Sequence, residues 1–176
     1  GACFSEFGIN VTYVDKDVAK IEGLKRGEIP IYEPGLADLV VTNARDGRLS
    51  FTTDLAATVA EAQAIFVAVG TPSRRGDGYA DLSYVFAAVD EIAEALTDYA
   101  VIVAKSTVPV GTGDEIERRV RARRPELEFD VVSNPEFLRE GSAINDFMRP
   151  DRVVIGTDSE RAQALMRQLY RVLYLI

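Results

Sequence analysis

Apolar and polar residues alternate in blocks along this chain. Six short apolar runs stand out: VTYVD at 11–15, RLSFTT at 48–53, AIFVAVG at 64–70, AVIVAKS at 100–106, FDVVS at 129–133 and RVVIG at 152–156. Between them lie amphipathic stretches of helical period. Several of the runs are continuously apolar rather than alternating, the pattern of parallel strands covered on both faces. The pattern predicts an α/β protein with a doubly wound, mostly parallel sheet.

Local signals place the helices. Asp81 is positioned to cap a helix over 82–96, and Thr112 with Glu115 has capping-box spacing ahead of 116–123. A further helix is expected over 160–176. The GDG at 76–78 reads as a turn, so the chain is expected to form one domain over 1–176 without an internal linker.

Residues 1–8 read as the back half of a helix that runs into NVTYVD at 10–15. Helix, strand and terminal acid form the second half of a dinucleotide-binding βαβ unit, in which a carboxylate holds an adenosine ribose. The opening strand and glycine-rich turn of a Rossmann unit are not in this sequence, so the phosphate-binding loop is expected upstream of Gly1. Because that strand is central in the usual order, its absence is expected to expose an apolar seam.

Composition narrows the function classes. The 176 residues are 47% hydrophobic, enough for a sizeable core. Twenty basic against twenty-eight acidic side chains give a formal charge of -8, which opposes nonspecific binding to nucleic acid or an anionic membrane. An anionic cofactor remains compatible, because backbone N–H groups bind phosphate without net positive charge. The single cysteine, Cys3, precludes an intrachain disulfide and fits a reducing compartment, with the cytoplasm as the expectation. Cys3 lies between Ala2 and Phe4, where a small buried thiol is the commoner role than a nucleophile. No apolar run approaches the roughly 20 residues that span a bilayer. Histidine is absent, so proton transfer within this sequence falls to carboxylates, hydroxyls or bound water, and a His/Cys zinc site is not expected.

Four loops follow predicted strand ends: Asp15 with Lys20, Gly70-Thr71-Pro72, Ser106-Thr107-Val108-Pro109, and 134–141 (NPEFLREG). In an open parallel sheet these carboxyl ends share one edge, where ligands bind, so their polar residues are expected to converge. Asp15 either accepts both ribose hydroxyls, repelling a 2'-phosphate and favouring NAD over NADP, or is a turn acid ending a strand. Lys20 by itself reads as a solvated lysine. Gly70 permits close backbone approach to a flat ligand, and Pro72 ends the strand. The Thr107 hydroxyl either faces the edge or caps a turn. Glu136 and Glu140, four apart, would share a face if their segment were helical, either as an acid–base pair or as a solvated surface.

Together these segments resemble the N-terminal domain of the UDP-glucose/GDP-mannose dehydrogenase family. The matching text is YVDKDVAKIEGLKRGEIPIYEPGL, FTTDL, FVAVGTPS, DGYADLSYV, KSTVPVGTG, SNPEFLREGSAINDF and RPDRVVIG, in family order over nearly the whole chain. The STV and PDRVVIG wording resembles the branch acting on UDP-glucose more than the one acting on GDP-mannose, and NPEFLREG sets the chain apart from the branch acting on UDP-N-acetylmannosamine. The resemblance implies NAD contacts from Asp15, Lys20, Thr71, Thr107 and Glu140, and sugar-nucleotide contacts from Glu136, Phe137, Leu138, Arg139 and Glu140. It implies oxidation of a sugar C6 alcohol to an acid in two hydride transfers, through a thiohemiacetal and a thioester on cysteine. Thr107, through a water, and Glu136 would assist proton transfer and hydrolysis, while Glu140 would help position the nicotinamide. The family's catalytic lysine and cysteine and its substrate-binding domain are expected beyond Ile176, so this chain alone is expected to be inactive. A homodimer is implied for the full-length parent. The alternative from another class is a noncatalytic nucleotide-binding module on the same fold.

Overall fold

The computed structural model describes residues 1–74, 76 and 78–175. They fall into two compact units. Unit 1 comprises Gly1–Thr58, Phe137–Arg152 and the stretch from Arg167; unit 2 comprises Val59–Glu136 and Val153–Met166.

Unit 1 holds helix α1 (Ala2–Glu6), strand β1 (Val11–Val14), helices α2 (Val18–Lys25) and α3 (Leu36–Arg45), and strand β2 (Leu49–Thr52). β1 and β2 pair in parallel, with Val11 opposite Leu49 and Val14 opposite Thr52. Phe4, Ile21, Leu24, Val40, Leu49 and Tyr170 are buried. The rings of Phe147 and Tyr170 meet Phe4 edge-on, with centroids 5.1 and 5.2 Å away. Polar ties complete the unit. Fully buried Asn43 donates to Glu6 Oε2 at 2.8 Å and to the Leu39 carbonyl at 2.9 Å, and its own Oδ1 accepts from Arg48 Nε at 3.0 Å.

The chain passes into unit 2 within α4 (Leu55–Glu61) and continues as β3 (Ala64–Val67), α5 (Ser83–Ala95), β4 (Ala100–Ala104), α6 (Thr112–Arg123) and β5 (Phe129–Ser133). The three strands form a parallel ladder in the order β3-β4-β5. Every residue of β4 is buried, and Val101, Ile102 and Val103 have no exposed surface. Val85, Val89, Ile92, Ile116 and Val120 of α5 and α6 are also buried. The unbroken apolar run AVIVA is thus what a strand covered on both faces requires. The pairs β2-β1 and β3-β4-β5 are the neighbours found in the doubly wound order 3-2-1-4-5-6 without its first strand.

The remaining elements are α7 (Ala143–Met148), α8 (Glu160–Leu169) and a 3-10 turn (Arg171–Tyr174). Five of the six apolar runs form strands. The sixth, RVVIG, forms only an isolated antiparallel bridge from Gly156 to Ser133 at the end of β5. The N-cap of α5 falls on Leu82 rather than on Asp81, which sits one residue before it and accepts the Ser83 N–H on its Oδ1 at 2.9 Å. The capping box at Thr112 does not form. Gly111, at φ +86°, opens α6 one turn earlier than expected, the Thr112 hydroxyl donates to the Pro109 carbonyl at 2.7 Å, and Glu115 is taken by Arg118 and Arg119. The last helix stops at Leu169 and tightens into the 3-10 turn; Ile176 lies outside the described residues. Around the GDG turn, Ser73 bridges Ala80 and the Arg74 N–H donates to the Tyr79 carbonyl at 2.7 Å, while Asp77 lies outside the described residues. Among the described residues no helix is long and apolar enough to cross a membrane.

Candidate functional site

In unit 1 the acid predicted at the end of β1 sits in a dense polar network. Tyr13 and Asp15 are two apart on an extended chain and so project to the same side. The Tyr13 hydroxyl donates to Asp15 Oδ2 at 2.9 Å, the Asp17 N–H donates to Oδ1 at 3.1 Å, and Lys20 Nζ pairs with Oδ2 at 2.5 Å. Asp17 is the N-cap of α2 and accepts the Lys20 N–H at 3.0 Å. That cap sets the first turn of the helix so that the Lys20 side chain returns to Asp15, with its ammonium 5.5 Å from the centre of the Tyr13 ring. Lys20 is therefore no solvated lysine.

Partial burial pushes the Asp15 carboxyl up, but the hydrogen bonds from Lys20, Asp17 N–H and Tyr13 outweigh it and hold the group below its ordinary value. The same bond to Asp15, followed by that to Tyr13, raises Lys20. Burial raises Tyr13. Asp15 is consequently a firmly ionised acceptor whose side chain keeps 25% of its surface exposed. A carboxylate offers about four lone-pair positions, so the three donors already present leave about one for a hydroxyl of a ligand.

In unit 2, Thr71, Thr107 and Glu136 follow the carboxyl ends of β3, β4 and β5, which lie on one side of a parallel ladder. Thr107 is exposed, whereas Thr71 and Glu136 are half-buried. The loops are pinned beneath them. Lys105 N–H donates to the Val67 carbonyl at 3.1 Å, Ser106 Oγ to the Val69 carbonyl at 2.7 Å, and fully buried Asn134 donates its side-chain amide to the Val154 carbonyl at 2.7 Å. Lys105, which the sequence reading passed over, is half-buried. Burial lowers its pKa, against the opposing influence of the Glu136 carboxylate. Its signal in the sequence was a lone cation ending a fully apolar run.

The segment 134–139 is not helical, so Glu136 and Glu140 do not share a helix face. Pro135, which has no N–H to give, follows β5, and helical structure resumes only at α7. In unit 1, Phe137, Leu138, Arg139 and Glu140 are exposed, and the Arg152 guanidinium lies 4.9 Å from the Phe137 ring centre. Arg139 is held by Asp146: its Nη2 and Nε donate at 2.7 and 3.0 Å, and its backbone N–H donates at 3.0 Å. These bonds hold the Asp146 carboxyl down at about 2. Glu33, on a loop before α3, accepts the N–H groups of Gly141 and Ala143, each at 2.8 Å. No local pattern announces Glu33, because its partners lie 108 and 110 residues away. A shallow groove of about 660 Å³ beside it is lined by Ile29, Tyr32, Pro34 and Ala37 among others, and contains none of the site residues predicted from the sequence.

Residues 1–174 match the family model for the UDP-glucose/GDP-mannose dehydrogenase family, NAD binding domain. The chain is 60% identical to the UDP-glucose 6-dehydrogenase of Rhizobium meliloti (strain 1021), over 99% of this chain and 40% of that protein. It is 52% identical to the UDP-glucose 6-dehydrogenase TuaD of Bacillus subtilis (strain 168), over 97% of this chain and 37% of that protein. Among solved structures, a UDP-glucose dehydrogenase from Pyrobaculum islandicum superposes with a TM-score of 0.93 at 40% identity, over 98% of this chain and 40% of that one. A ternary complex of GDP-mannose dehydrogenase from Pseudomonas aeruginosa gives a TM-score of 0.92 at 35% identity, over 97% of this chain and 41% of that one. The chain thus spans about 40% of the length of the relatives it matches. With its parallel ladders, its acid at the end of β1 and a family match over nearly every residue, this chain belongs to the UDP-glucose/GDP-mannose dehydrogenase family as its Rossmann-like NAD-binding domain.

Proposed function

We propose that this chain is the cofactor half of a UDP-glucose 6-dehydrogenase, which converts UDP-glucose to UDP-glucuronate with NAD. The observation that carries the cofactor reading is the ionised Asp15 at the end of β1, fixed by Tyr13, Asp17 and Lys20. The identity of 60% to a UDP-glucose 6-dehydrogenase, against 35% to a GDP-mannose dehydrogenase, supports the sugar.

Asp15 accepts a ribose hydroxyl, and its charge repels a 2'-phosphate. Lys20 keeps that carboxylate ionised and oriented. Thr71, Thr107 and Glu140 contact the cofactor, Glu140 on the nicotinamide side. When bound, NAD supplies the hydride acceptor. Glu136, with Phe137, Leu138, Arg139 and Glu140, contacts the sugar nucleotide. Glu136, and Thr107 through a water, move the protons that alcohol oxidation and hydrolysis of an acyl intermediate demand. The full-length protein works as a cytoplasmic homodimer.

The test is cofactor preference. In the full-length enzyme the ratio of kcat/KM for NAD to that for NADP should strongly favour NAD. Asp15→Asn should lower this ratio by about tenfold or more, because it removes a repulsion and releases Lys20 to pair with a 2'-phosphate. A wild type that uses NADP equally well, or a ratio unmoved by the substitution, would sink the ribose assignment.

A further inference from the structure

Phe137 to Glu140, proposed to meet the sugar nucleotide and, through Glu140, the nicotinamide, lie on an exposed segment, and such segments are ordinarily among the most mobile in a fold. This one is tied down at its far end. Gly141 adopts φ +79°, which brings the chain sharply into α7. The residue at the N-cap position, Ser142, contributes no side-chain cap. An uncapped helix start leaves N–H groups without partners. Glu33 supplies one of those acceptors from a distant loop, Oε1 to Ala143 N–H, and its Oε2 takes the N–H of Gly141 just ahead of the helix. Its carboxylate uses both oxygens, one on each side of Ser142, so it fixes the direction in which the segment leaves α7 as well as its distance. Asp146 adds a second tie by gripping Arg139 at both backbone and guanidinium. Glu140 is thus held between two anchors, the Asp146 contact with Arg139 and the Glu33 contact with Gly141.

We infer that Glu33 is a positioning residue for the dehydrogenase reaction: by clamping the Gly141 and Ala143 amides it holds Glu140 and its neighbours in the geometry that chemistry needs. This inference rests on the function proposed above. Glu33 touches no reacting atom in this assignment. Its carboxylate matters as a double acceptor, and an amide in its place would put NH2 against one of the two N–H groups.

The full-length enzyme carrying Glu33→Gln should separate this role from plain support of the fold. Amide exchange at Gly141 and Ala143 should accelerate by about tenfold, the effect of losing one hydrogen bond's protection. In the same variant kcat/KM for UDP-glucose should fall by about tenfold to a hundredfold, while affinity for ADP-ribose, which carries the adenosine half but no nicotinamide, stays within about twofold. Glu33→Asp keeps the charge but cannot span both amides, and should lie between wild type and Glu33→Gln; it gives the same comparison if the amide variant does not fold. Faster exchange with kcat/KM unchanged would overturn the positioning role. So would exchange that does not change, or an ADP-ribose affinity that falls in step with kcat/KM. A wild type that does not oxidise UDP-glucose would instead overturn the proposed function, and this inference with it, so the two failures are told apart by the wild-type assay alone.

Discussion

The two units hold parallel ladders together by different means. Unit 2 is built around β4, five successive buried aliphatic residues with α5 and α6 packed beside the ladder. Unit 1 has two strands, and much of what fixes it is polar: Asn43 joined to Glu6 and Arg48, Asp15 to Tyr13 and Lys20, Glu33 to Gly141 and Ala143. A ladder buried on both faces depends chiefly on volume. One with a thinner core depends on whether each buried or loop polar group finds its partner, because leaving one unsatisfied costs more than making the bond gains.

The sharpest way to break this comparison is to remove the same kind of side chain from each unit. Ile102→Ala, at a site with no exposed surface between two strands, should lower unfolding free energy by about 3–5 kcal/mol. Leu24→Ala in α2, where the residue keeps 8% of its surface exposed, should cost about 2–3 kcal/mol. Urea denaturation would measure both. Equal losses would mean that unit 1 relies on apolar packing as heavily as unit 2.

Next in size is the buried amide. Asn43→Ala should cost about 1–3 kcal/mol, because it leaves Glu6 and Arg48 without a partner they now have. Asn43→Leu, which refills the volume but not the bonds, should recover little of that loss. Full recovery would show that Asn43 serves as filling and that the polar account of unit 1 is mistaken.

The smallest effect is the response to acid, and it is expected in both units. Asp146 in unit 1 is held at about 2 by Arg139, and Glu115 in unit 2 at about 2 by Arg118 and Arg119. A carboxyl depressed in the folded state stabilises fully above its unfolded pKa and loses that contribution as pH falls through the folded value. The stabilisation should therefore be intact above about pH 4.5 and drain away toward about pH 2. Urea midpoints at neutral pH and near pH 3 should differ less in Asp146→Asn and in Glu115→Gln than in wild type; an undiminished difference would assign acid sensitivity to other carboxyls.

The same contrast explains what could be read from the amino-acid order. β4 is legible because a strand covered on both faces must be apolar throughout, and Asp15 is legible because it closes a short apolar run. RVVIG misleads for the same reason: an apolar run carries no record of whether a neighbouring strand exists to accept its ladder bonds, and here the bridge to Ser133 is its one strand-like pairing among the described residues. The capping box at Thr112 misleads because Gly111 and the Arg118–Glu115 pair compete for the same groups. Lys20 looked ordinary because its partner is decided by the turn at Asp17, a feature of three dimensions. Glu33 was invisible, since nothing near it in the chain needs a carboxylate.

Cys3 has a practical consequence for the bench. Burial, reinforced by Glu6 and Glu33, raises its thiol above the ordinary value. Only the thiolate attacks alkylating reagents at an appreciable rate, so in neutral buffer Cys3 should label slowly. A mass-resolved iodoacetamide time course on the full-length enzyme would then show any activated cysteine as an early peptide adduct, with the peptide containing Cys3 trailing behind as an internal clock for nonspecific modification.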